Sequence, residues 1–135
     1  MSQHNPAGER APPFTTRTFG LILKVERFDA GIEFYRDLLG LSVWFEKDRL
    51  VCFRYGDGYL MVETGGVAMG DGKRDDASRP ILRFNVDDVD AAAEALVSRG
   101  IIVDVRSFSW GRVGTFRDPD GNICELKNAD DPFFR

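Results

Sequence analysis

A chain of 135 residues is sized for one compact domain, or for two small halves around a shared core. Hydrophobic residues make up 43% and charged residues 30%, a balance that excludes general disorder, and no apolar run approaches the roughly 18 residues of a membrane-spanning helix. A formal net charge of -4 leaves no global positive field to hold a polyanion, so nucleic acid is not an expected partner.

Residues 1–16 are polar, carry Pro6, Pro12 and Pro13, and lack the apolar stretch of a secretory signal, which predicts a disordered tail on a cytoplasmic protein. The alternation of Phe19, Leu21, Leu23 and Val25 predicts a half-buried strand. Asp29 is then placed to cap a helix holding Ile32, Phe34, Tyr35, Leu38 and Leu39, which Gly40 stops. Strand-like segments 41–46, 50–55 and 59–63 follow, with Gly56-Asp57-Gly58 as a hairpin turn. The charged, glycine-rich stretch 65–79 reads as a linker. Beyond it Leu82, Phe84 and Val86 alternate again, and an aspartate within 87–90 can cap a helix holding Ala91, Ala95, Leu96 and Val97, ended by Gly100. Segments 101–107, 113–117 and 122–127 complete the second half, with Pro119-Asp120-Gly121 as its turn. Cys52 and Cys124 sit inside apolar runs and are expected to be buried free thiols.

The two halves are one unit written twice. Phe53-Arg54 and Phe116-Arg117 lie 63 positions apart, as do Asp57-Gly58 and Asp120-Gly121, while Glu63 and Glu125 lie 62 apart. Val25, Asp29 and Ala30 match Val86, Asp90 and Ala91 at 61, and Gly40 matches Gly100 at 60. Ordered matches at nearly constant spacing mark a duplicated supersecondary unit, the small drifts being single-residue insertions. The organisation predicted is a single α+β domain over 17–128, made of tandem βαβββ modules at 18–64 and 80–128, with a C-terminal tail at 129–135.

The run Phe34-Tyr35-Arg36-Asp37-Leu38-Leu39-Gly40-Leu41 after a strand, and Phe116-Arg117-Asp118-Pro119-Asp120-Gly121-Asn122 before Glu125-Leu126, resemble the helix and closing-hairpin signatures of the vicinal oxygen chelate superfamily, which holds glyoxalase I, bleomycin-resistance proteins and extradiol dioxygenases. The resemblance covers about residues 19–127. It implies that each module folds as a four-stranded mixed sheet with its helix on the outer side, that the sheets form an open, curved cleft, and that chains of this length complete the cleft across a homodimer.

Metal-dependent members of that family place four ligands in the cleft, one from the first and one from the fourth strand of each module. Registered on this sequence, the four positions hold Gly20, Glu63, Ile81 and Glu125. Two carboxylates remain, and the single histidine, His4, falls in the tail. Without imidazole, transition metals lose their favoured neutral donor, so no metal or other cofactor is expected. Strand parity gives the cleft lining instead: Lys24, Tyr59, Met61, Glu63, Arg83, Asn85, Glu125 and Lys127, with Trp44 and Trp110 as flat surfaces for a planar ligand beside Phe45 and Phe108. The structural alternative is that Lys24 or Arg83 pairs with Glu63 or Glu125 where the metal would sit.

No nucleophile elbow, phosphate loop or dinucleotide fingerprint is present, and no core histidine is available for a Ser-His or Cys-His pair, so no catalytic residue is assigned. The leading expectation is a protein resembling the bleomycin-resistance branch, which confers antibiotic resistance by sequestering a small organic ligand in a dimeric cleft without metal. A lyase or dioxygenase of the glyoxalase or extradiol type, using Glu63 and Glu125 to hold a divalent ion or as general base, is the second. A protein partner docking on Phe133-Phe134 is the third.

Overall fold

The computed structural model describes residues 11–13, 15–68 and 79–132. Most of the predicted N-terminal tail, His4, the centre of the predicted linker and Phe133-Phe134 lie outside them. The order of elements is β1 (Gly20–Val25), α1 (Phe28–Ile32) running directly into a π-helical stretch (Glu33–Leu38), β2 (Val43–Lys47), β3 (Leu50–Tyr55) and β4 (Gly58–Thr64), then β5 (Leu82–Val86), α2 (Val89–Ser98), β6 (Asp104–Phe108), β7 (Gly111–Arg117) and β8 (Ile123–Asn128). This is βαβββ twice. Each module forms its own four-stranded sheet, in the orders β1-β4-β3-β2 and β5-β8-β7-β6. The first pair in each sheet is parallel and the remaining pairs are antiparallel.

The duplication explains a detail of the first helix. From Asp29 to Gly40 this module has one residue more than the second has from Asp90 to Gly100, and a π-helical turn is the means of absorbing a single insertion without breaking a helix. Leu39 N accordingly donates to Phe34 O, five residues back, at 2.9 Å. The glycines that end both helices stand at φ +76 and +88, where a side chain would be strained. The second helix is capped by Asp88, whose carboxylate accepts from Asp90 N and Ala91 N. The first is not capped as predicted. Asp29 lies within the first turn, and Arg27 occupies the N-cap without a side-chain cap bond. The other module instead clamps the chain just before the helix: Asp120 Oδ2 accepts from Glu26 N at 2.8 Å and Oδ1 from Arg27 N at 3.1 Å. Segments 41–46 and 101–107 begin pairing later than predicted, at Val43 and Asp104, because the residues just after each glycine first close over the core, where Ile101 is buried and Leu41 half-buried.

One apolar cluster serves both modules. Val25, Val51, Phe53, Leu60 and Val62 of the first sheet, and Leu82, Phe116, Cys124 and Leu126 of the second, pack with Ile32, Phe34, Tyr35, Val89 and Leu96 from the helices. Tyr35 marks the layering. Its ring lies 6.3 Å from Phe53 on one sheet and its hydroxyl meets Cys124 Sγ on the other at 4.0 Å, so the first helix runs between the inner faces of both sheets. Both cysteines are buried and free.

Candidate functional site

Because side chains alternate along a strand, packing one face on the helices turns the other outward. In the first sheet Leu21, Leu23 and Val25 point inward while Gly20, Ile22 and Lys24 face out. The register sets Ile22 beside Met61 and Lys24 beside Glu63 on this open face, as strand parity predicted. Arg54, which is not among the predicted lining residues, joins them because it is the β3 partner of Tyr59. A bulge between Val43 and Phe45 lets Trp44 reach the same face.

Gly20 does more here than lack a donor. A Cβ placed on it would lie 2.0 Å from Cζ of Tyr59, so the tyrosine ring occupies the space above this glycine. Trp44 stands 5.9 Å from the Tyr59 ring and 5.3 Å from Phe45, and the Arg54 guanidinium lies over the indole at 5.3 Å. The result is an aromatic surface edged by a cation, with Trp44 about half exposed.

The second open face carries Arg83 and Asn85 from β5 and Glu125 and Lys127 from β8, with Thr115 of β7 next to Glu125. Arg83 Nε donates to Glu125 Oε1 at 2.6 Å and its Nη2 meets the same oxygen, so the structural alternative holds for this pair. No ion pair joins Lys24 to Glu63, although they are neighbours across the strands. Lys127 is not presented to a ligand. Its side chain is buried, its ammonium sits 3.1 Å from Asp131, and Trp110 covers it with the cation 5.0 Å from the ring. Trp110 is in turn stacked on Phe108 at 5.0 Å, with planes 2° apart.

The donor set does not fit a metal ion. Gly20 and Ile81 provide no coordinating atom, and Glu125 is engaged by Arg83. Glu63 lies opposite Lys24, whereas the partner of Gly20 is Tyr59. Four residues of strand, about 13 Å at the usual rise, therefore separate Glu63 from the level of Gly20. Among the described residues, no three His, Cys, Asp or Glu side chains converge.

Each open face is directed away from the shared core, so one chain does not bring Glu63 and Glu125 together across a single space. Beyond the shared core, the turn predicted as a hairpin also ties the modules to each other. Asp118, buried, accepts from Asp120 N, Asn122 N, Asn122 Nδ2 and, at 2.7 Å, the hydroxyl of Tyr35. Burial, reinforced by the Cys124 thiol and the Asp118 carboxylate, pushes the Tyr35 phenol far above its ordinary range. Burial likewise raises the Cys124 thiol to about 12, with Asp118 adding to the effect. These groups are neutral structural partners, not nucleophiles.

Comparison with known proteins agrees with this architecture. YraH of Bacillus subtilis (strain 168), an uncharacterised protein, is 32% identical over 117 residues, spanning 77% of this chain and 91% of its own. TnmS3, an antibiotic binding protein from Streptomyces sp. CB03234, superposes with a TM-score of 0.64 at 23% identity, over 84% of this chain and 96% of that one. A lactoylglutathione lyase from Agrobacterium tumefaciens does so with the same TM-score and identity, over 88% and 96%. These two likenesses speak for the fold and not for an activity. No helix among the described residues is long and apolar enough to cross a membrane. Residues 18–126 match the family model for the Glyoxalase/Bleomycin resistance protein/Dioxygenase superfamily, and with two βαβββ modules in sequence the chain belongs to that superfamily.

Proposed function

We propose that this protein is a metal-independent binder of a small organic molecule, held on the open sheet faces and enclosed by a second copy of the chain. The observation that carries the reading is the Tyr59 ring lying over Gly20, with Trp44 and Arg54 beside it: a flat, partly cationic surface stands where metal-dependent relatives carry a ligand. Such a surface suits a planar aromatic compound, which gains from stacking and from the guanidinium together. What each face leaves uncovered supports dimerisation. Ile22 is 55% exposed and Ile81 51%, apolar surface on both open faces that a second copy would cover. The antibiotic binding named for the Streptomyces neighbour supports a sequestering role in kind, with cytoplasmic capture of a toxic compound as the physiological sense.

Elemental analysis of the purified protein, followed by thermal-shift titration of planar and glycopeptide antibiotics with and without divalent ions, tests this. A compound is expected to stabilise the metal-free protein, and Tyr59→Ala to abolish that stabilisation. A stoichiometric metal together with turnover of a glutathione hemithioacetal or a catechol, both lost in Glu63→Gln or Glu125→Gln, would replace this reading with the lyase or dioxygenase. Light scattering that returns a monomer at all concentrations removes the shared cleft.

A further inference from the structure

On the helix side of the sheets, away from the aromatic surface of Tyr59 and Trp44, a cavity of about 700 Å³ opens along the seam between the modules. Leu38, Leu39 and Leu41 form one wall, at the end of the first helix, and Phe84, Ala92 and Leu96 form the other. Arg83 and Asn85, on the edge strand β5, border both this cavity and the second open face. The volume falls within the roughly 300–1,000 Å³ of small-molecule sites.

The duplication says why the space exists. Carried along the helices, the 61-residue offset that relates Asp29 to Asp90 and Ala30 to Ala91 matches Phe34 to Ala95 and Tyr35 to Leu96. Phe34 and Tyr35 are buried and pack edge to face at 5.0 Å, filling the seam from the first module. The second helix presents a methyl group at the position matching Phe34, and Ala95 lines the cavity.

The charge of the lining is as specific as its shape. It includes two guanidinium groups and no carboxylate. Arg83 is neutralised by Glu125. Arg99 donates to the carbonyls of Leu38, at 2.7 Å, and Asp37, at 3.5 Å, and among the described residues no carboxylate pairs with it. An apolar chamber with one uncompensated cation at its rim selects a ligand of matching polarity. We infer that the seam is a second ligand site, which takes a small molecule with an apolar body and a single anionic head, such as a medium-chain carboxylate.

The test is calorimetric titration of the full chain with decanoate and, as the uncharged control, 1-decanol, accompanied by amide chemical-shift mapping. Decanoate is expected to bind saturably and to move the amides of Leu38, Leu39, Ala92 and Leu96. Ala95→Phe, which installs the side chain of the matching position, should weaken binding at least tenfold. Arg99→Gln should weaken decanoate about fivefold and leave decanol unchanged. Tyr59→Ala should leave both unchanged, which separates this site from the aromatic surface. The wild-type shift map decides the matter even if Ala95→Phe fails to fold. The inference is overturned by an absence of saturable binding, by shifts confined to Trp44 and Tyr59, by equal affinities for acid and alcohol, or by a seam closed to decanoate under a second copy.

Discussion

Gly20 and Tyr59 act as one unit. A strand glycine normally weakens a sheet, and a neighbouring aromatic side chain laid across it recovers the lost contact. Adding a methyl group at Gly20 forces the Tyr59 ring off the strand, since the new carbon would stand 2.0 Å from the ring. Gly20→Ala is therefore expected to cost about 1 kcal/mol in urea denaturation, with a shift in Trp44 emission as its aromatic neighbour moves. In a Tyr59→Ala background the same change should cost almost nothing, because the clash is gone. Additive losses in the double-mutant cycle would show that the two residues are independent.

Among the elements, the two modules are joined less by their strands than by the Asp118 to Asn122 turn. The backbone N–H groups of Glu26 and Arg27, just before the first helix, donate to Asp120, while Arg27 Nη1 donates to Pro119 O at 2.8 Å. The second module thus caps its own helix through Asp88, whereas the first helix has no side-chain cap and the chain just before it is held by the other module. Asp120→Ala should destabilise the protein by about 1.5–3 kcal/mol, the range for hydrogen bonds to a charged acceptor, and Asp120→Asn by less. Equal midpoints for the alanine variant and the wild type would mean that the clamp contributes nothing.

At the scale of the whole molecule, the seam that unites the sheets buries protons as well as hydrocarbon. Cys124 keeps its proton up to about 12 against an ordinary 9.0, Tyr55 up to about 12 against 10.0, and Tyr35 beyond that; burial is the leading cause for all three. Each is an acid whose folded value exceeds the unfolded one, so its contribution is complete below the unfolded value. The contribution declines as pH rises from about 9 toward 12, where the unfolded chain releases protons that the folded chain retains. Stability should fall across that interval by up to roughly 1.4 kcal/mol per pH unit for each titrating group. Denaturation midpoints measured from pH 8 to 11 check this, and Cys124→Ala should flatten the slope. A midpoint unchanged over that range contradicts the burial of these groups.

Periodicity carries the βαβββ repeat, because alternation and helix-stopping glycines are local properties of the chain; Leu50–Tyr55 emerges with the predicted ends, and Leu82–Val86 on the predicted alternation. Parity also sorts Lys24, Tyr59, Met61 and Glu63 onto one face, and Arg83, Asn85 and Glu125 onto another. Register is a different matter. Whether Glu63 stands beside Gly20 or beside Lys24 depends on how a parallel strand slides against its neighbour, which no local signal encodes. Arg54 was legible in principle, as the residue that alternates with core-facing Phe53 along β3, whereas the clamp of Asp120 on Arg27, the cover that Trp110 places over Lys127 and the chamber beside Ala95 were not. Each joins residues far apart in the chain, and only the packing of one module on the other decides such contacts.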